Sequence, residues 1–344
     1  MEYKVLGKSG LKISVVGLGG IPLQRLDAEE AAKVVNYALD KGINYIDTAR
    51  GYTVSESYIG KAIKNRRREV VLATKGPACD GEGFAKNIED SLAALETSYI
   101  DLYQVHNVKD TAGIDKIFAE GGAYQTFKKY RQQGKVLHFG LTCHKKEILQ
   151  YAIDNFSDKI ESIMFPYNIV ERQGDDLFES AFKHDIGVVV MKPLAGGNLT
   201  DVKLAMRFCF DNPHVSVVIP GMASFKEVDE DAADLSFDVL NAEEKARCKK
   251  IAAELGNVFC RRCGYCAPCT VGIDIPTCFT FQNYLKNYDL ADWAADRYFS
   301  MKTTADKCVK CGKCMQRCPY ELDIIKKLEK VTADFDEYKA KRAK

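Results

Sequence analysis

Eight short, largely apolar runs, each followed by a stretch with helix-start or helix-stop signals, succeed one another over roughly 220 residues. They fall at residues 15–18, 43–46, 70–74, 100–105, 136–141, 162–166, 188–191 and 215–219. The intervening helices are expected at 28–41, 55–63, 84–95, 123–133, 145–155, 175–184 and 199–212, with a last one capped at Ser224. Asp27 followed by Glu30 is a capping-box signature, Gly42 is a helix stop, and Phe84, Ile88, Leu92 and Leu95 share one helical face. Strands this continuously apolar are buried on both faces, so the alternation predicts an α/β chain with a closed (β/α)8 TIM barrel. An open doubly wound sheet is the alternative, but Gly17-Leu18-Gly19-Gly20 after the first strand does not fit G-x-G-x-x-G. Ahead of the barrel, Gly7-Lys8-Ser9-Gly10 between two short strand-like segments reads as a hairpin.

The chain has 344 residues, more than a barrel needs, and its formal net charge is +1. That balance offers no basic field for nucleic acid. No run of about 18 apolar residues is present to span a membrane. The start, Met1-Glu2-Tyr3-Lys4, has no apolar leader, and a cytoplasmic location is expected. The expected organisation is a barrel over 1–235, a linker helix within 236–257 opened by Asn241, and a cysteine-rich module over 258–344 that ends in a charged, solvated helix from Lys326.

Four ionisable residues stand at or just beyond the ends of three apolar runs: Asp47 and Tyr52, Lys75, and His106. If the runs are neighbouring parallel strands, these side chains meet at the C-terminal mouth of the barrel, where barrel chemistry is found. A tyrosine hydroxyl titrates near ~10, too high for an easy proton donor, but a nearby ammonium lowers it. Lys75 can supply that charge, Asp47 can hold the lysine, and His106 can hydrogen-bond a carbonyl oxygen. Such a set polarises C=O and protonates the alkoxide as hydride reaches carbon. Taken singly, each residue reads as packing or an ion pair, as do His138, His144, His184 and His214. Arg50 reads equally as an anion-binding group or a salt-bridge partner.

From Tyr3 to Leu235 the sequence resembles the aldo-keto reductases, through Asp47-Thr48-Ala49 with Tyr52, Lys75, His106, Gly140-Leu141-Thr142, Met191-Lys192-Pro193-Leu194 and Ile219-Pro220-Gly221. The resemblance puts Asp47, Tyr52, Lys75 and His106 on that family's catalytic tetrad, with Tyr52 as general acid. It also implies NADPH-dependent reduction of a small-molecule carbonyl, or the reverse alcohol oxidation. Matching cofactor positions would be Thr142, Cys143, Met164, Met191, Lys192, Pro193, Leu194, Gly196, Pro220, Ser224, Glu227 and Asp231. Thr142, Cys143, Met164 and Met191 depart from the family's usual Ser-Asn pair, glutamine and aromatic ring. Glu227 replaces a usual arginine and would repel a 2′-phosphate, with Lys226 and Lys192 as available compensating charges. NADP(H) and NAD(H) both stay open.

The chain contains thirteen cysteines, nine of them between Cys260 and Cys318. Disulfide scaffolds belong to small secreted domains, so ligation is the better reading here. Cys308, Cys311, Cys314 and Cys318-Pro319 form C-x2-C-x2-C-x3-C-P, the bacterial ferredoxin run. Upstream, Cys260, Cys263, Cys266 and Cys269 form C-x2-C-x2-C-x2-C. The expected cofactors are two [4Fe-4S] clusters with crossed fourth ligands. One would take Cys260, Cys263, Cys266 and Cys318; the other would take Cys308, Cys311, Cys314 and Cys269. Structural zinc more often uses paired C-x2-C knuckles on longer spacers. Cys278 is the nearest substitute ligand. Some aldo-keto reductases carry such a C-terminal extension.

Three readings result: a nicotinamide-dependent reductase with an iron–sulfur module, a reductase fed by a ferredoxin or other one-electron donor without nicotinamide, and a non-catalytic electron-transfer subunit.

Overall fold

In the computed structural model, which describes residues 1–232 and 239–342, the chain opens with an antiparallel hairpin. Its strands are β1 (Tyr3–Val5) and β2 (Lys12–Ser14), with Tyr3 opposite Ser14. Eight strands then pair in the order they occur, all parallel: β3 (Leu18–Gly19), β4 (Tyr45–Asp47), β5 (Val71–Gly76), β6 (Ile100–Val105), β7 (Val136–Thr142), β8 (Ser162–Pro166), β9 (Gly187–Met191) and β10 (Val217–Ile219). The sheet closes on itself, because Val16 bridges Val218 and Gly19 bridges Gly221. Gly17 N donates to Val218 O at 2.9 Å and Gly19 N to Pro220 O at 2.8 Å.

This closure displaces the first expected strand. Instead of 15–18, Leu18 and Gly19 pair with β4 while Val16 serves the last strand. A Cβ on Gly19 would stand 2.7 Å from Pro220 O, so this close approach requires glycine.

Helices of the barrel are α1 (Ala28–Asp40), α2 (Ser55–Ile63), α3 (Gly81–Ala94), α4 (Thr111–Phe118), α5 (Ala123–Gln132), α6 (Lys146–Phe156), α7 (Asp175–Lys183), α8 (Val202–Phe210) and α9 (Phe225–Ala232). The Asp27–Glu30 capping box forms, and Gly42 takes a φ of +85° just past the end of α1. Helix α4 inside the long insertion has no counterpart in the sequence reading; Asp110 caps it by accepting from Gly113 N. Helix α8 begins three residues later than expected, because Asp201 acts as its cap toward Leu204 N.

Inside the barrel, Tyr45, Ala73, Leu102, Met164, Val189, Val217 and Ile219 pack with Leu6 and Ile13. Leu6 and Ile13 flank the hairpin turn, so the hairpin supplies apolar filling to the lumen. Parallel strands buried on both faces explain the unbroken apolar runs.

The chain divides into two compact units, Met1–Leu194 with Asp201–Leu240, and Ala195–Thr200 with Asn241–Lys344. The division falls after Leu240; the boundary expected at Leu235 lies outside the described residues. The turn Ala195–Thr200 joins the second unit, where Asn283 Nδ2 donates to Gly196 O at 3.1 Å. That unit contains α10 (Ala242–Leu255), α11 (Ile275–Asn287), α12 (Ala291–Phe299), α13 (Lys313–Arg317) and α14 (Ile324–Arg342). Asn241 and Glu244 close a capping box on α10.

Helix α14 is not solvated all round as the charge pattern suggested. Ile324, Leu328, Val331 and Phe335 form a buried stripe at helical spacing, and Phe335 stacks on Tyr298 with ring centres 3.8 Å apart. Cys278, fully buried in this core, is a packing residue. Among the described residues no helix is long and apolar enough to cross a membrane.

Candidate functional site

Strand register builds the barrel site. Asp47 ends β4, and the ladder to β5 continues past it, with Thr48 N donating to Ala73 O and Arg50 N to Lys75 O. The segment is thereby carried along β5 before it turns, Tyr52 N donating to Ala49 O and Ser55 N to Tyr52 O at the start of α2. Lys75 and Gln104 are register partners across β5 and β6. His106 follows β6, its N–H donating to Gly76 O at 2.8 Å.

All four expected side chains meet. Lys75 Nζ donates to Asp47 Oδ2 and, at 2.8 Å, to Thr48 O. The same nitrogen lies 5.1 Å from the centre of the Tyr52 ring. Tyr52 and His106 meet edge to face, with ring centres 6.1 Å apart and planes at 89°. Asp47 and Lys75 are almost fully buried, whereas Tyr52 and His106 are half-buried.

Burial dominates the electrostatics. It pushes the Lys75 ammonium below its ordinary range, against the pull of Asp47, and pushes the Asp47 carboxyl up against the pull of Lys75. His106 is pushed down to about 3 by burial and by the positive charges of Lys75 and Lys109. At neutral pH its imidazole is neutral and offers one N–H and one acceptor.

Gln104 escaped the sequence reading. Its Nε2 donates to Asp47 Oδ1 at 3.3 Å, while its Oε1 is buried without a partner. The available signal was an amide inside a strand that is otherwise built to be buried. Glu56 also escaped it: almost fully buried, it takes hydrogen bonds from Arg50 and Thr74. Arg50 is therefore a salt-bridge partner in this structure.

The residues expected to contact the cofactor also make contacts within the fold. Thr142 Oγ1 accepts from Asn107 N at 2.7 Å, and the buried Cys143 Sγ lies 3.0 Å from Val108 O; both fasten the loop after His106. Met164 fills the lumen, with Met191 packed partly against the same cluster. Lys192 follows β9 with a left-handed φ of +60°, and its carbonyl accepts from Asn168; Pro193 and Leu194 form the turn after it. Pro220 O serves barrel closure. Ser224 caps α9, and Glu227 reaches back to Ala223 N at 2.7 Å and toward Arg25 at 3.4 Å. Asp231 is almost fully buried, its Oδ1 has no partner, and burial beside Glu227 and Glu230 pushes it up to about 8.

In the second unit the eight cysteines border two separate hollows. Cys260, Cys263, Cys266 and Cys318 line one, and Cys269, Cys308, Cys311 and Cys314 line the other. Ile275 is a wall of both. Among the described residues no three His, Cys, Asp or Glu side chains converge on a position for one bare ion.

Residues 15–204 match the profile of the aldo/keto reductase family, and residues 259–323 match a 4Fe-4S dicluster domain. An oxidoreductase of Bacillus subtilis, YqkF, of uncharacterised activity, is 31% identical over 69% of this chain and 80% of its own. The chain belongs to the aldo/keto reductase family. L-galactose dehydrogenase of Arabidopsis thaliana is 27% identical, over 68% of this chain and 88% of its own. The solved holo structure of aldo-keto reductase AKR11C1 from Bacillus halodurans superposes with a TM-score of 0.63 at 27% identity, covering 73% of this chain and 96% of that one. This aldo/keto reductase is thus an oxidoreductase with an iron–sulfur domain at its C-terminal end.

Proposed function

We propose that the barrel interconverts a small-molecule carbonyl and its alcohol, with Tyr52 as general acid in the reducing direction. The observation that carries this reading is Lys75, bound to Asp47 and standing against the Tyr52 ring, with His106 edge to face with the same ring. A carbonyl oxygen placed between Tyr52 and the neutral His106 accepts from both. As hydride arrives at carbon, Tyr52 gives its proton to the developing alkoxide, and the Lys75 charge stabilises the phenolate left behind. Asp47, steadied by Gln104, opposes the loss of charge that burial imposes on Lys75.

The groups around α9 fit a dinucleotide without a 2′-phosphate. Asp231 leaves an orphaned acceptor, and Glu227 already fills the helix start where an extra phosphate would seek donors. NADH is therefore the proposed cofactor. When bound it would supply the hydride, with Ser224, Glu227 and Asp231 on its adenosine side and Lys192 after β9 nearer the nicotinamide.

For the second unit we propose two [4Fe-4S] clusters with crossed fourth ligands, in keeping with the membership of the two hollows. Cys318 would join Cys260, Cys263 and Cys266, and Cys269 would join Cys308, Cys311 and Cys314.

The commitment of Thr142, Cys143 and Met164 to internal contacts favours a second reading, in which electrons reach the barrel from a one-electron donor without nicotinamide. Anaerobic protein mixed with NADH or NADPH and a panel of aldehydes and ketones separates the two. Oxidation of NADH that Tyr52→Phe abolishes is the expected result. Failure to bind or oxidise either nucleotide would move the conclusion to the second reading.

A further inference from the structure

The two cysteine hollows meet solvent differently. Around the first, Cys266 is buried, Cys260, Cys263 and Cys318 are half-buried, and the adjacent cations are turned onto rings. Arg261 stacks 3.8 Å from the centre of Tyr320, and Arg262 lies 5.6 Å from that of Phe259. Tyr265 is exposed there, but no exposed lysine or arginine stands between residues 258 and 266.

At the second hollow Cys311 is exposed. It is flanked in sequence by exposed Val309 and Met315, and by exposed Lys302, Lys307, Lys310 and Lys313. Exposed Arg317, next to Cys318 of the first hollow, donates to Pro268 O at 2.9 Å on the wall of the second. Against these five cations, residues 302–317 contain one acid, Asp306, a formal +4 that Glu329 beside Lys310 and the −2 of a thiolate-ligated cluster would reduce to a small positive excess. Lys307 pairs with Asp306 at 2.7 Å and Lys310 with Glu329 at 2.6 Å, but exposed pairs of this kind are weak and screened, and a partner's carboxylates can replace them. The Thr270 hydroxyl lies 3.2 Å from Cys311 Sγ. Hydrogen bonds to a ligand sulfur and solvent exposure are two of the levers that set one cluster's potential apart from another's.

We infer that the face formed by residues 302–317 is the electron port of this protein, and that its partner is an acidic one-electron carrier protein. This rests on the proposed cluster at Cys269, Cys308, Cys311 and Cys314. Exposed Val309 and Met315 would supply apolar contact, and the lysines near them in sequence the charge that steers an oppositely charged surface. In each encounter the carrier loses one electron and the cluster gains one, with no bond made or broken. A short charged patch suits the small, transient interfaces of electron-transfer partners.

The test uses full-length, cluster-loaded protein under anaerobic conditions with a reduced acidic [2Fe–2S] ferredoxin, followed by freeze-quench EPR. The wild-type reduction rate should fall at least about tenfold from low to physiological ionic strength. The double variant Lys310→Glu/Lys313→Glu should lose about tenfold or more at low salt, while Lys33→Glu on α1 changes nothing. Reduced methyl viologen, a cation, should reduce the double variant at least as fast as wild type. A salt-independent wild-type rate, or equal losses at Lys33 and at the Lys310/Lys313 pair, overturns the inference. So does a salt-dependent dimer of the chain masking the face. Dithionite titration keeps the two levels apart: reducible cluster without ferredoxin reduction removes the port alone, whereas no reducible cluster removes the iron–sulfur reading beneath it.

Discussion

Glu56 accepts a hydrogen bond from Thr74 at 2.7 Å, and Thr74 is the residue immediately before Lys75 on β5. The other oxygen of that carboxylate takes Arg50, from the segment between Asp47 and Tyr52. One buried side chain on the first turn of α2 thus ties together the strand of the lysine and the loop of the tyrosine. Its negative charge also raises the Lys75 ammonium. Glu56→Ala should lower stability by about 2–4 kcal/mol in urea unfolding, since it strands Arg50 and Thr74. Glu56→Gln should cost less and keep partial activity, with the alkaline limb of the pH–rate profile shifted to lower pH.

The pH dependence of stability should carry two opposing contributions. His106 is held near 3 in the fold against about 6.5 unfolded, so below 6.5 the unfolded chain binds the extra proton. Its contribution is complete above 6.5 and is lost as pH falls toward 3. Asp231 runs the other way: held at about 8 against an ordinary 3.8, it keeps in the fold a proton that the unfolded chain releases. Its contribution is complete below 3.8 and is lost as pH rises through 8. Between 6.5 and 8 the histidine is silent, so stability should decline with pH through Asp231. Asp231→Asn should flatten that decline in urea titrations, and an unchanged slope would remove the assignment.

The barrel was legible because its signals are local and repeated: parallel strands need apolar runs, and Asp27, Gly42 and Asn241 mark helix ends by their own chemistry. The meeting of Asp47, Tyr52, Lys75 and His106 was legible because strand ends in sequence become neighbours at one rim. Closure was not. Whether residue 16 or 18 pairs forward depends on where β10 arrives, more than 190 residues later. Helix α14 was misjudged because its charges outnumber a four-residue stripe whose partner, Tyr298, lies on a helix the sequence did not announce. Gln104 and Glu56 were missed because a polar residue's partner in another strand or loop leaves no trace in its own neighbourhood.

Glu227 should set the cofactor preference. Its carboxylate occupies the start of α9 through Ala223 N and Ser224 and also engages Arg25. Glu227→Gln removes the repulsion toward a 2′-phosphate and ends the Arg25 ion pair. The ratio of NADPH to NADH dissociation constants, from fluorescence titration, should shift toward NADPH by about tenfold, roughly 1.4 kcal/mol. The start of α9 should keep its cap, because Ser224 is untouched and a glutamine amide oxygen can still accept from Ala223 N. An unchanged ratio would take the adenosine end away from α9.

Crossed ligation can be read from two single substitutions. Cys318 follows Cys314 by four residues yet lines the hollow of Cys260, Cys263 and Cys266, while Cys269 lines that of Cys308, Cys311 and Cys314. If the fourth ligands cross, Cys318→Ser perturbs the less exposed cluster and leaves the one beside Thr270 intact. Cys269→Ser does the reverse. Each should bring iron toward about half, and each should abolish the spin coupling between reduced clusters that share Ile275 as a wall. The discriminating signal comes from Thr270→Val, which removes the hydroxyl beside Cys311 Sγ and should shift the potential of one cluster alone. That shift should survive in Cys318→Ser and disappear in Cys269→Ser. The opposite pattern would mean that each run of four cysteines holds its own cluster, and the crossing would be wrong.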